Sequence, residues 1–152
     1  MRLIRTTALF AATALAMLLP AVGANATAIA CGGSVSSVAI GANGCISADK
    51  FNEGRVPMRE IKAHVKLRNT SAHAATVEYE AFFRIVEGGD WSKMGNGRTS
   101  VPARGAVGPI EVASVSRVCG LRNAKAEIRI HVRPAGGAWS NWTGAVTAQC
   151  QT

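Results

Sequence analysis

Beyond residue 54 the apolar side chains return at every second position, and no stretch repeats at the spacing of an amphipathic helix. A period of two sends successive side chains to opposite faces of an extended chain, so each such run can bury one face and wet the other. Ile61, Ala63, Val65 and Leu67 alternate with Lys62, His64, Lys66 and Arg68. Val77, Tyr79, Ala81 and Phe83 alternate with Glu78, Glu80 and Phe82, and Ile128, Ile130 and Val132 alternate with Glu127, Arg129, His131 and Arg133. The apolar run from Ile110 to Val118 keeps no clean phase, which predicts a β-bulge. Gly144 to Gln149 reads as a closing strand, and turn residues separate the runs at Asn69-Thr70-Ser71, Gly88-Gly89-Asp90, Gly105 to Pro109 and Pro134 to Gly137. Five strands, with one or two more from the N-terminal segment, predict an all-β chain folded as a single antiparallel sandwich.

The length of 152 residues and the 48% of apolar side chains suffice for one core and fall short of two ordinary domains. Residues 1–28 read as a signal peptide. Arg2 and Arg5 precede an apolar run from Ala8 to Leu19, Pro20 ends that run, and Ala24-Asn25-Ala26 and Ala26-Thr27-Ala28 offer the small residues a signal peptidase needs. The run is too short to cross a bilayer, so no stable membrane insertion is expected after processing. A lipid anchor on Cys31 fits less well. Ala28 stands where such a box wants a large aliphatic residue, and lipidation would leave an odd thiol among Cys45, Cys119 and Cys150. Residues 29–54 then form an N-terminal segment bracketed by cysteines, and residues 55–152 the sandwich. Loss of the leader takes the net charge from +8 to +6, with His neutral, so the exported protein stays basic. The expected location is extracellular, or periplasmic in a double-membraned bacterium.

Cys31, Cys45, Cys119 and Cys150 contain no C-x-x-C pair, which speaks against a redox motif or a zinc ribbon and for two disulfides. Four cysteines allow three connectivities. Gly32-Gly33 and Asn43-Gly44 make a local Cys31–Cys45 closure easy, and Cys119 and Cys150 each end a predicted strand on the same side of a sandwich. That geometry favours Cys31–Cys45 with Cys119–Cys150.

Two hairpins share one pattern, Arg84-Ile85-Val86-Glu87-Gly88-Gly89-Asp90-Trp91-Ser92 and Val132-Arg133-Pro134-Ala135-Gly136-Gly137-Ala138-Trp139-Ser140. Here the chain resembles fibronectin type III domains: Val77 to Lys93 is similar to that family's C to C′ hairpin, and Ile128 to Val146 to its F to G hairpin. Trp139-Ser140-Asn141-Trp142-Thr143 is similar to the Trp-Ser-x-Trp-Ser box of cytokine-receptor modules, with Thr143 in the last place. The sequence departs from the family where its second strand carries Trp, a residue missing from Ile61 to Leu67, and at Glu127, where a corner Tyr would sit. The resemblance implies an immunoglobulin-like sandwich acting in adhesion or spacing, without catalysis. On such a fold Arg129 and Arg133 would lie on a strand whose hairpin partner carries Trp139 and Trp142, as a structural ladder of guanidinium and indole groups. Glu78 and Glu80 would meet Arg129 and Arg133 across the sheet.

No nucleophile elbow, dinucleotide loop or metal-ligand spacing is present, so neither enzyme activity, nor a cofactor, nor a metal is expected. Lys62, His64, Lys66 and Arg68 occupy every second position of one strand, pointing one way about 7 Å apart. If that strand is B of an immunoglobulin-like sandwich, it lies in the sheet opposite Glu78 and Glu80 and its charge is not locally neutralised, so these four form the candidate binding row for an anionic polymer, with specific nucleic-acid recognition not expected. The functional expectation is therefore a small secreted non-catalytic binding or adhesion module, its partner an anionic polymer or an extracellular protein. The alternative is a secreted inhibitor or toxin-like effector acting through an exposed loop, for which Lys93 to Arg104 is the candidate.

Overall fold

A computed structural model describes residues 28–86, 89–119 and 125–147. The expected signal peptide, but for its last residue, and Cys150 fall outside them. Eight strands follow one another: β1 (Ala30–Ser37), β2 (Ile40–Glu53), β3 (Val56–Asn69), β4 (Ala75–Ile85), β5 (Ser92–Val101), β6 (Ala106–Val118), β7 (Ala126–Pro134) and β8 (Thr143–Val146). They form two antiparallel sheets of four, in the orders β1-β2-β3-β6 and β5-β4-β7-β8. The N-terminal segment supplies β1 and β2, which are part of the first sheet. Its cysteines are joined as expected, Cys31 lying directly opposite Cys45 in the β1–β2 ladder. Cys119 is buried just beyond β6.

The period-two pattern decides what goes inside. Ile40, Ala42 and Ile46 of β2 and Ile61, Ala63, Val65 and Leu67 of β3 meet Val77, Tyr79, Ala81 and Phe83 of β4 and Ile128, Ile130 and Val132 of β7 in one core. Each buried Val, Leu, Ile or Phe contributes about 1.5–3 kcal/mol relative to solvent exposure. Asn69 is the polar member of this interior. Its amide donates to the carbonyls of His73, at 2.8 Å, and Val101, at 3.3 Å, and its side-chain oxygen accepts from the Ser71 N–H at 2.9 Å. The turn predicted at Asn69-Thr70-Ser71 is thereby tied to the second sheet.

The sheets are drawn together along both long sides by residues without side chains. On one side Gly32 and Gly44 face the backbone of Thr143 and Gly144, and a Cβ on Gly44 would lie 2.7 Å from the Thr143 carbonyl oxygen. On the other, a Cβ on Gly95 of β5 would lie 2.9 Å from the Ala113 side chain of β6. The contact on β6 falls where its register against β3 shifts, between the pairs Ala63↔Ala113 and His64↔Glu111, leaving Val112 as the bulged residue. This is the irregularity that the broken phase of Ile110 to Val118 predicts.

Two expectations are corrected. Lys93 to Arg104 is not an open loop, because Ser92–Val101 is strand β5, paired with β4 from Ala75↔Val101 to Phe83↔Ser92. Its apolar alternation is hidden by Gly95 and Gly97, and Gly97 is small because the ring of Tyr79 takes the space of a side chain there, 2.6 Å from where a Cβ would be. The turn expected over Gly105 to Pro109 is shorter, since β6 already begins at Ala106 and takes the cis Gly108–Pro109 bond into the strand.

Gly144→Ala should lower stability by about 1–3 kcal/mol, since its methyl would press on the Ile128 carbonyl, whereas Gly33→Ala, with nothing within 4 Å, should stay within about 0.5 kcal/mol. Urea unfolding of the two variants is the measurement.

Candidate functional site

The outer face of the second sheet carries most of the organised polar chemistry. Its floor is made of direct cross-strand pairs between β4 and β7: Glu78↔Arg133, Glu80↔His131, Phe82↔Arg129 and Arg84↔Glu127. The β7–β8 connection folds back over this floor because its small hydroxyl residues point inward. Ser140 exchanges two hydrogen bonds with Val132, its N–H donating to the carbonyl at 2.8 Å and its Oγ accepting from the N–H at 3.1 Å. Thr143 Oγ1 accepts from the Gly44 N–H at 3.1 Å and donates to the Gly33 carbonyl. With Ser140 and Thr143 anchored, Trp139 and Trp142 turn outward onto the sheet.

There they build a continuous stack. The guanidinium of Arg133 lies 4.4 Å from the centre of the Trp139 ring. Trp139 stacks on His131 at 4.0 Å and 9°, and His131 stacks in turn on Trp142 at 3.8 Å and 13°. Arg129 follows, 4.3 Å from Trp142 and 4.3 Å from Trp91, and Arg84 closes the series 4.5 Å from Trp91. Phe82 supports the middle, its ring edge-on to Trp142 at 5.3 Å. Cation–π contacts at such exposed sites contribute about 0.5–1 kcal/mol each, and aromatic pairs add a comparable amount. Each of the three indoles thus has two partners along the stack, while Trp142 stays 41% exposed.

Ion pairs hold the stack at its sides. Arg133 Nε donates to Glu78 Oε2 at 2.7 Å and Arg84 Nε to Glu127 Oε2 at 2.7 Å. Arg133 and Glu78 thus meet as the strand alternation predicts, but Arg129 and Glu80 do not. Glu80 instead accepts from Lys93 Nζ at 2.8 Å and from His131 Nε2 at 3.3 Å, and a carboxylate that can only accept fixes the ring proton on that nitrogen. Lys93 above all, then His131, hold the Glu80 carboxyl below its ordinary value. Arg129 is held by rings alone and its buried Nε has no hydrogen-bond partner. Its direct neighbour on β4 is Phe82, while Glu127 is taken by Arg84.

The row on β3 is different from its sequence expectation. His64 is buried, 8% exposed, with Nε2 2.8 Å from the hydroxyl of Ser47, itself 4% exposed. Burial pushes the His64 ring below its ordinary value, so it is neutral near pH 7. Lys62 Nζ sits 3.2 Å from Glu60 and 3.7 Å from Asp49, which neutralise it locally. The charge of this row is therefore not left standing along its length, and of its four members only Lys66 and Arg68 are exposed cations without an ion pair. As expected for strand B of an immunoglobulin-like sandwich, this strand lies in the sheet opposite Glu78 and Glu80, but carboxylates of β2 and of β3 itself reach it. Among the described residues no three His, Cys, Asp or Glu side chains are placed to hold a metal ion.

Sequence reasoning places Arg129, Arg133, Trp139 and Trp142 in the ladder, puts His131 and Phe82 on this face without a part in it, and misses Trp91 and Arg84. A signal for Trp91 is present in the Gly-Gly-x-Trp-Ser repeat of the two hairpins, which delivers a tryptophan to the same face each time.

No protein-family model matches the chain, and neither does any curated protein. Among solved structures it is similar to a β-glucuronidase of Bacteroides uniformis, at TM-score 0.48 and 9% identity, over 68% of this chain and 13% of that one. A calcium-binding mutant of β-glucuronidase 2 from the same organism overlaps to the same extent, at TM-score 0.47. The chain thus spans a small part of these enzymes, and the overlap is a partial match between β-sandwiches.

Two outcomes are expected from this face. Trp142→Ala and Arg129→Ala should each lower the melting temperature, with a loss of about 1–3 kcal/mol for the tryptophan. The second concerns pH. Burial lowers both His64 and His131 below the ordinary histidine value of 6.5, against the pull of Glu80 on His131. Below that value the unfolded chain binds more protons than the folded one, so this contribution to stability is complete above pH 6.5 and is lost as pH falls towards the folded values. Denaturant midpoints should drop on acidification below pH 6.5, and His64→Gln with His131→Gln should flatten that slope. The Glu80 contribution fades only below its own ordinary value of 4.5.

Proposed function

We propose that the chain is a small exported, non-catalytic binding module on an immunoglobulin-like scaffold, whose partner is an anionic polymer of the cell surface or extracellular space. Strand adjacency supports the scaffold. With β4 and β5 as C and C′, β7 and β8 as F and G, and β3 as B, the C, F and G strands share one sheet and B lies in the other. The single observation that carries the binding reading is the placement of unpaired charge. Five carboxylates, Asp49, Glu60, Glu78, Glu80 and Glu127, are consumed by Lys62, Lys93, Arg84 and Arg133, while Lys66 and Arg68 project from one face of β3 without an ion pair. The inhibitor alternative loses its loop to strand β5, and Glu78 and Glu80 are both engaged by cations, which disfavours a carboxylate-pair hydrolase. The Cys119–Cys150 bridge belongs to the same proposal and would tie the end of β6 to the chain's C-terminal part; peptide mapping without reduction tests it.

Purified protein should bind a heparin matrix with a strength that falls steeply with salt, as counterion release demands of clustered cations. Lys66→Glu with Arg68→Glu should shift elution to markedly lower salt, and Lys93→Glu with Lys125→Glu, equal in charge change, should shift it less. Equal shifts would mean that net charge alone is read, and would sink the β3 face as a site.

A further inference from the structure

A second feature lies on the other sheet and does not depend on Lys66 and Arg68. Beside the ladder, between its Trp139 end and the edge strand β5, the sheet surface is concave, an open groove of about 290 Å³. Two straight cross-strand rows make its floor and walls: Arg98, Glu78 and Arg133 in one, Asn96, Glu80 and His131 in the other. The two carboxylates are already oriented and compensated, Glu78 through Oε2 by Arg133 and Glu80 through both oxygens by Lys93 and His131. Glu78 lines the groove, and its Oε1 is left as an acceptor without a hydrogen bond from the protein. Arg98 and Asn96 are exposed, and their side chains make no hydrogen bond or ion pair with the protein. Trp139 lines the groove while its ring is engaged by Arg133 and His131.

We infer that this groove binds one acidic sugar unit of an oligosaccharide, with Arg98 taking its carboxylate and Asn96 and Glu78 taking neighbouring hydroxyls. Glu78 is compensated by Arg133 within the groove and Glu80 by Lys93 outside its lining, so Arg98 is the uncompensated charge and the groove prefers a monoanion. The fork of an arginine matches a carboxylate through two parallel hydrogen bonds, and a point charge does not. An amide that both donates and accepts, beside a carboxylate oxygen that only accepts, suits vicinal hydroxyls, each of which carries one donor and two acceptor sites. A zwitterionic amino acid fits less well, since its ammonium would meet carboxylates that already hold cations. The floor is rigid, because Glu80 is clamped from both neighbouring strands and Glu78 from β7, and a preset floor reduces the ordering cost of binding.

The test is titration of the full exported chain with trigalacturonate, followed by calorimetry and by the indole and arginine Nε–H resonances in proton–nitrogen spectra. Maltotriose and acetate serve as the neutral sugar and the sugarless carboxylate. The expected result is saturable binding of trigalacturonate that moves the Trp139 and Arg98 signals, with neither control binding comparably. Arg98→Ala should weaken it about tenfold or more, the loss of one charge-assisted pair. Asn96→Ala should weaken it less, and Lys66→Glu with Arg68→Glu should leave the Trp139 and Arg98 shifts in place. Both groove variants change exposed side chains, and an unchanged melting temperature confirms that each is folded. Equal binding of acetate or maltotriose, an Arg98→Ala variant that binds like the parent, or no movement of the Trp139 and Arg98 resonances at the solubility limit of the sugar would each overturn the inference. Arginine shifts confined to Arg68 would overturn the groove while leaving the β3 face intact.

Discussion

The hydroxyl of Thr143 stands where the two sheets touch. It accepts from the backbone of β2 and donates to the backbone of β1, while belonging to β8 of the opposite sheet. That bridge exists only because Gly32, Gly44 and Gly144 let the backbones approach nearer than any side chain permits. The rest of the molecule follows from it. With β8 fixed, the β7–β8 connection has one course across β7, Ser140 locks to Val132, and the indoles on either side of Ser140 and Asn141 have no alternative to the outer face. Disulfide Cys31–Cys45 closes the neighbouring corner and keeps β1 in place against β2.

How much of this the sequence reveals depends on what holds each part. Strands β3, β4 and β7 are legible because their inner and outer faces differ in polarity at every step, and their inner residues are the core. Strand β5 is not, because it is held by backbone pairing and by the space it yields to Tyr79, so glycine replaces the apolar signal. The β3 row illustrates a second limit. Alternation correctly says that Lys62, His64, Lys66 and Arg68 share a face, yet it is silent about Ser47, Asp49 and Glu60, whose register decides which of the four keeps its charge. For the ladder, the Arg and Trp positions are readable from the hairpin pattern. The place of His131 between two indoles is not, since it follows from the path of the β7–β8 connection.

The ladder also separates two roles that aromatic surfaces are often given together. An indole with a free face is a platform for ligands, and one engaged by two partners in a stack is a brace. Here the cations that cover the faces are arginines, planar enough to stack and weakly enough hydrated to lose part of their water shell. Arg129 carries this furthest, exchanging a carboxylate for three rings. The brace stiffens the face along which β4 and β7 run, and so defines the wall against which the groove beside Trp139 is shaped.

The chain has three tryptophans, and all three are rungs of this one stack. Its intrinsic fluorescence therefore has a single structural origin. Trp139 and Trp142, held nearly parallel on the two sides of one imidazole, also form a coupled pair of chromophores whose near-ultraviolet circular dichroism depends on that stacking and vanishes with it. The molecule thus carries a built-in optical reporter for the outer face of its second sheet, silent about the first sheet and readable without any label.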